Sequence, residues 1–133
     1  MWEYKEEFNP DDYFGFVYLV TNLESGKKYI GKKFFHHTKK LPPLKGAKRK
    51  RTIVKESDWK SYYGSSKIIK EDINTLGKDK FKREILRLCH GRKELTYWET
   101  KLQFAEGVLE KSDEYYNDNI LGKFFTRDLA TAK

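Results

Sequence analysis

The chain has 133 residues, 38% of them hydrophobic and 16% aromatic, which is the size of one ordinary domain with enough apolar material for a single packed core. Its 28 Lys and Arg outnumber 20 Asp and Glu, so the formal charge of +8 favours a polyanionic partner over an acidic small molecule. The single cysteine, Cys89, excludes an internal disulfide and a cysteine-built zinc site, and it fits a reducing cytoplasm. The start, Met1-Trp2-Glu3-Tyr4-Lys5, lacks the pattern of a secretory signal and no later stretch has the length of a membrane span, so a cytoplasmic protein is expected.

Gly15 to Thr21 (GFVYLVT) is β-branched and aromatic throughout, and Lys28-Tyr29-Ile30-Gly31 follows the turn-rich Asn22-Leu23-Glu24-Ser25-Gly26. Together these read as a β-hairpin. Alternation puts Phe16, Tyr18 and Val20 on one face and Val17 and Leu19 on the other. Both faces are apolar, which predicts a sheet covered on both sides.

From Lys27 to Lys55 there is no acidic residue, while Lys32, Lys33, Lys39, Lys40, Lys45, Lys48, Arg49, Lys50, Arg51 and Lys55 are all basic. Pro42, Pro43 and Gly46 bar a regular helix there, so residues 40 to 52 read as an extended basic loop. The adjacent His36 and His37 point different ways on any regular element and cannot chelate one ion together. Trp59 is expected in the core by its size, and Tyr62 and Tyr63 beside it offer stacking surfaces for bases.

Gly64-Ser65-Ser66 supplies capping hydroxyls ahead of Ile68, Ile69, Ile73 and Leu76 at helical spacing, and Gly77 is placed to stop that helix. Phe81 to Leu88 suits a third strand, with a helix as the alternative. After Gly91, the residues Leu95, Trp98, Leu102, Ala105 and Leu109 recur every three or four positions as on an amphipathic helix, with Gly107 fraying its end.

Glu99 sits at or beside that apolar stripe. A carboxylate costs several kcal/mol to bury without a cation or metal to meet it, so its position asks for a partner; a neighbouring lysine such as Lys101, or water, would also serve.

The triplets Phe16-Val17-Tyr18 and Tyr29-Ile30-Gly31 stand across a hairpin, and Tyr63-Gly64-Ser65-Ser66, Leu76-Gly77, Phe81 with Ile85-Leu86, Glu94-Leu95 with Glu99, and Tyr116-Asn117 follow in order. Over about residues 15 to 120 the chain resembles the GIY-YIG nuclease family. Phe and Val replace the first two residues of the first triplet and leave its tyrosine in place.

The resemblance implies a single domain of the mixed α/β (α+β) class, with a three-stranded antiparallel sheet flanked by helices. It implies a metal-dependent DNA endonuclease in which Glu99 is the protein ligand of a divalent ion, magnesium or manganese, with water completing the shell. Tyr18 and Tyr29 would face that ion, one receiving the proton of an attacking water and the other positioning water or phosphate. A phenol is a poor base without a nearby cation, and the family's arginine has no counterpart ten residues past Tyr29, where Lys39 stands.

If residues 40 to 52 are an insertion, Arg51 takes the arginine's place; if not, Lys33, His37 or Lys39 does. Arg51 and Lys33 are the two candidates carried forward. Asn117 would anchor the site through hydrogen bonds, although a Tyr-Asn-Asp-Asn cluster is also ordinary turn chemistry.

The acid-free stretch points to phosphate binding by Lys32, Lys39, Lys40, Lys45, Lys48, Arg49, Lys50 and Lys55, with duplex DNA as the expected partner. One site nicks one strand; cutting both requires a homodimer or a second encounter. The small format resembles mobile (homing) or phage-encoded nucleases more than repair or restriction proteins. A non-catalytic nucleic-acid-binding module of the same fold and an RNase are the competing readings.

Overall fold

The computed structural model describes residues 1–130. In chain order it contains β1 (Trp2–Glu3), β2 (Gly15–Asn22), β3 (Lys28–Phe34), β4 (His36–Leu41), β5 (Arg51–Glu56), α1 (Lys67–Leu76), β6 (Phe81–Cys89), α2 (Arg92–Ala105), β7 (Asn119–Ile120), β8 (Phe124–Phe125) and α3 (Thr126–Ala130).

The main sheet has the order β1-β6-β2-β3, with β2 antiparallel to both of its neighbours. It therefore has four strands where three were expected. The fourth is the two-residue β1, which pairs parallel to β6 through Trp2 opposite Arg83 and Glu3 opposite Glu84. So short a strand leaves no periodic signal. Trp2 holds it by packing edge-on against Phe16 and Tyr18 and by donating its Nε1–H to the Trp59 carbonyl at 2.6 Å.

The expected hairpin forms, and Asn22 builds its turn. The Asn22 side-chain oxygen accepts the N–H groups of Glu24 and Ser25, and Gly26 takes the positive φ of 78°. Both faces of β2 are covered. Val17 and Ile30 pack with Leu95, Val108 and Leu109 on the α2 side, while Phe16, Tyr18 and Val20 pack with Phe35, Trp59, Phe81 and Ile85 on the other.

Helix α1 is capped as its sequence predicts: Ser66 accepts the Ile69 N–H, and Gly77, at φ 95°, closes the end through a bond to the Ile73 carbonyl. Residues 81–89 are strand, which resolves the open alternative. Helix α2 ends at Ala105, and Leu109, which continues its stripe, is buried from the turns beyond Gly107.

The basic loop expected over residues 40 to 52 is a loop at 42–50, and its two ends belong to a second sheet that the sequence reading did not include. β4 and β5 form a separate antiparallel ribbon running from the His36–Glu56 pair to the Leu41–Arg51 pair, and only residues 42–50 form its tip. The β-branched run Thr52-Ile53-Val54 favours strand, and the two prolines lie beyond the last pair, where their missing N–H groups cost no ladder bond. At the tip, Gly46 adopts φ 83° in a turn closed by the Ala47 N–H on the Leu44 carbonyl.

Among the described residues no helix is long and apolar enough to cross a membrane.

Candidate active site

Tyr18 and Tyr29 lie on adjacent strands of one sheet face, with ring centroids 6.2 Å apart. Tyr18 is directly opposite Gly31 in the β2–β3 register, and this pairing explains the glycine. A Cβ at position 31 would overlap Tyr18 Oη and lie 2.6 Å from Tyr18 Cζ and 2.9 Å from Tyr29 Cε2. Glycine lets the buried phenol of Tyr18 cross β3 towards the sheet edge.

Tyr62 packs edge-on against Tyr18 with centroids 6.0 Å apart, and Tyr29 Oη shares a hydrogen bond of 3.0 Å with Ser65 Oγ. Burial pushes the Tyr18 phenol well above its usual value, with Tyr62 and Tyr29 adding to the effect. Burial also raises Tyr29, partly offset by the Ser65 hydrogen bond. Both side chains are therefore neutral phenols near pH 7.

Glu99 approaches from the opposite side of the same edge, on the inward flank of α2. Its side chain is 16% exposed, and its one ion-pair partner among the described residues is Lys32, with Nζ 3.9 Å from Oε1. Burial raises the carboxyl above the usual range, and Lys32 lowers it only in part. Lys32 also donates to Thr96 Oγ1 at 3.0 Å. Lys101, the local alternative partner for Glu99, instead lies over the rings of Tyr97 and Trp98. Tyr29 and Glu99 face one cleft because β3 is the edge strand of the main sheet, so side chains from both faces reach its outer flank.

That flank is held by the chain's own C-terminal third. Asn117 accepts the Ile30 N–H at 3.0 Å and donates to the Ile30 carbonyl at 2.8 Å, taking the place of a neighbouring strand. Gln103 donates to the same carbonyl at 3.0 Å. Ile30 stands between Tyr29 and Gly31, so these bonds fix the backbone that aims Tyr29 and the glycine that the Tyr18 phenol crosses. A polar cleft of about 350 Å³ results, lined by Tyr29, Lys32, Glu99, Gln103, Asn117 and Asp118.

A second cleft, of about 520 Å³, shares Lys32 and adds Lys33, His37, Asp58 and Tyr62. Lys33 Nζ lies 3.9 Å from the Tyr62 ring centroid and 2.6 Å from Asp58 Oδ1, and this contact holds the Asp58 carboxyl below its usual range. Lys33 is thus brought to Tyr62, which packs on Tyr18, and is paired with Asp58. Arg51 is not brought there: it occupies the outer end of β5, five residues and roughly 17 Å of strand from the ribbon's base, with its Nε on the Pro42 carbonyl. Lys39, Lys40, Lys45, Lys48, Arg49, Lys50 and Lys55 lie along the ribbon and its tip, all exposed.

Residues 2–120 match a family model described as "Putative endonuclease segE, GIY-YIG domain". The chain belongs to the GIY-YIG family. It is 35% identical over 102 residues to a protein of Enterobacteria phage T4 described as "Putative endonuclease segE". The match covers 77% of this chain and 39% of that protein, so the chain corresponds to well under half the length of that relative. No solved structure matches.

In this GIY-YIG chain, sequence reasoning misses the Lys32–Glu99 pair, Ser65 as the partner of Tyr29, and Gln103. Period-two alternation puts Lys32 on the Ile30 face, the face that α2 covers, and that signal was present. Nothing local indicates that Ser65 reaches Tyr29 across 36 positions.

A divalent ion fits the first cleft by donor chemistry. Magnesium prefers hard oxygen ligands and retains much of its water, so one buried carboxylate in a polar cleft suffices. Among the described residues no group of three or more His, Cys, Asp and Glu exists that would hold an ion without water.

Proposed function

We propose that this chain hydrolyses a phosphodiester bond of DNA at the cleft between Tyr29 and Glu99, as a divalent-metal-dependent endonuclease. The observation that carries this reading is the Glu99 carboxylate, kept in a costly buried position and facing the same cleft as Tyr29 with only one lysine to offset it. Glu99 would hold magnesium or manganese, which when bound supplies positive charge to the phosphoryl oxygens and the leaving group.

The chain's own residues do the rest. Tyr29 and Tyr18, neutral in the free protein, position the attacking water by hydrogen bonds. Receiving its proton requires a cation beside them, and Lys33, over the Tyr62 ring, is the cation at hand. An ammonium neutralises a phosphate as a point charge, whereas arginine grips two oxygens in a plane, so Lys33 stabilises charge with less control of geometry. Asn117 acts through Ile30 and is a positioning residue. The cations of the ribbon hold phosphates on either side of the scissile bond.

A non-catalytic binding module is the second reading, favoured by the absence of an arginine among the residues lining either cleft. Supercoiled plasmid decides between them. Purified wild-type protein should nick it with magnesium and stop when chelator is added, and Glu99→Ala should abolish nicking while leaving binding largely intact. Undiminished cleavage by Glu99→Ala, or no nicking by the wild type, overturns the proposal.

A further inference from the structure

The β4–β5 ribbon packs against the body only at its base. From His37 to Thr52 every residue is exposed except Leu41, and Val54 beyond is 68% exposed. Its eight lysines and arginines, Lys39, Lys40, Lys45, Lys48, Arg49, Lys50, Arg51 and Lys55, form no ion pair with any described residue. A two-stranded arm with unopposed positive charge serves no purpose in the core. It is the form and charge of an element that enters a polyanion.

We propose that this ribbon lies in the major groove of B-form duplex DNA beside the bond to be cut, with the face carrying His37, Lys39, Arg51 and Lys55 turned to the DNA. The inference rests on the reading of the cleft as a DNA-cleaving site and names the element that grips that DNA.

Size selects the groove. Strands about 4.8 Å apart give a ribbon roughly 10 Å across with side chains, which a major groove about 12 Å wide admits and a minor groove about 6 Å wide does not. Six-residue strands reach about 20 Å, the rise of roughly six base pairs.

Register selects the face, because residues paired across the ribbon share a side. One side carries His36, Thr38, Lys40, Thr52, Val54 and Glu56; the other carries His37, Lys39, Leu41, Arg51, Ile53 and Lys55. The base of the first side is tied to the body, with His36 Nε2 3.1 Å from Asp11 Oδ1 and Glu56 accepting the Trp59 Nε1–H at 3.1 Å. The base of the second side opens on the cleft, where His37 stands with Lys33, Asp58 and Tyr62. A duplex seated over the tyrosines therefore meets the second side.

Lys39 and Lys40 provide the test, since they are adjacent, both exposed, identical in charge and on opposite sides. Binding of a 30-base-pair duplex is measured by fluorescence anisotropy across salt concentrations with chelator, in the 133-residue chain carrying Glu99→Gln so that cleavage plays no part. Lys39→Ala should make the slope of log K against log salt shallower by about 0.9, which is about eightfold in affinity at 0.1 M salt against a 1 M reference. Lys40→Ala should give less than a third of that change. Methyl green, which occupies the major groove, should displace the protein, and netropsin in the minor groove should not.

Equal losses at Lys39 and Lys40, displacement by netropsin instead, or equal affinity for duplex RNA, whose major groove is too narrow for the ribbon, would each overturn the proposal. The plasmid-nicking assay reports on the cleft by itself, so the arm and the cleft are refuted by different results.

Discussion

Strand β3 and the β4–β5 ribbon are joined through a single residue, the fully buried Phe35, yet they are held in opposite ways. β3 is an edge strand whose outer flank is closed: Lys28 exchanges backbone bonds with Glu114 and Tyr116, and Ile30 is gripped at both its N–H and its carbonyl by Asn117. The ribbon pairs only with itself and ends in solvent. A side chain on β3 is therefore fixed to within the tolerance of core packing, whereas a side chain on the ribbon contributes charge that depends on the side it faces and little on its exact placement. In the proposed function Tyr29 and Lys33, which act at the scissile bond, lie on the first, and the cations proposed to hold phosphate lie on the second. Substitutions on β3 should act as switches and substitutions on the ribbon as small increments.

The largest effect is expected at Gly31. In Gly31→Ala the new methyl meets the rings of both tyrosines, so Tyr18 and Tyr29 must move or the strand must bend. Overpacking of this kind costs about 1–3 kcal/mol of stability, and misplacing a reacting group by about 1 Å costs about a hundredfold in rate. Plasmid nicking should fall at least that far while duplex affinity, carried by the ribbon, changes little. A Gly31→Ala protein that cleaves at the wild-type rate would remove the distinction between the two regions.

Asn117 comes next. Asn117→Ala leaves the Ile30 N–H without its acceptor and leaves the carbonyl with Gln103 alone. An unsatisfied buried donor costs about 1–3 kcal/mol, which should appear in urea unfolding as a lower midpoint with an unchanged slope. Cleavage should decline in kcat more than in KM, since Asn117 aims Tyr29 and holds no substrate. A loss confined to KM would move Asn117 from positioning to binding.

The same contrast separates what could be read in the sequence from what could not. The hairpin, helices α1 and α2 and the caps of α1 are local patterns, written in the alternation of Phe16 to Val20, the apolar spacing of the helices, the hydroxyl of Ser66 and the glycine at position 77. Glu99 was legible because a carboxylate on an apolar stripe violates the pattern around it. β1 was not legible, because two residues carry no period. The strands of the ribbon are hidden in the sequence because Pro42, Pro43 and Gly46 dominate a window in which Thr52-Ile53-Val54 carries the strand signal. The Lys32–Glu99 pair and the grip of Asn117 on Ile30 join positions 67 and 87 apart in sequence, so no local pattern names the partners, although alternation puts Lys32 on the α2 face and the resemblance marks Asn117.

The smallest of the expected effects has the opposite sign. Burial holds the Glu99 carboxyl above its usual value, so the folded chain keeps that proton to a higher pH than the unfolded chain does. In that window the native state binds more protons, and stability falls as pH rises from the ordinary carboxylate range through the raised value, then levels off. Glu99→Gln removes the titration and keeps the shape. In chelator, its thermal midpoint at pH 7.5 should exceed the wild type's, and the difference should shrink as pH falls through the raised value and vanish below the ordinary carboxylate range. Lys32 offsets part of the penalty, so Lys32→Met should lower the wild-type midpoint at pH 7.5 and do less in the Glu99→Gln background. A Glu99→Gln protein less stable than wild type at pH 7.5 would mean that the carboxylate is there for the fold. A more stable one that cannot nick DNA would mean that the fold carries it at a cost for the chemistry.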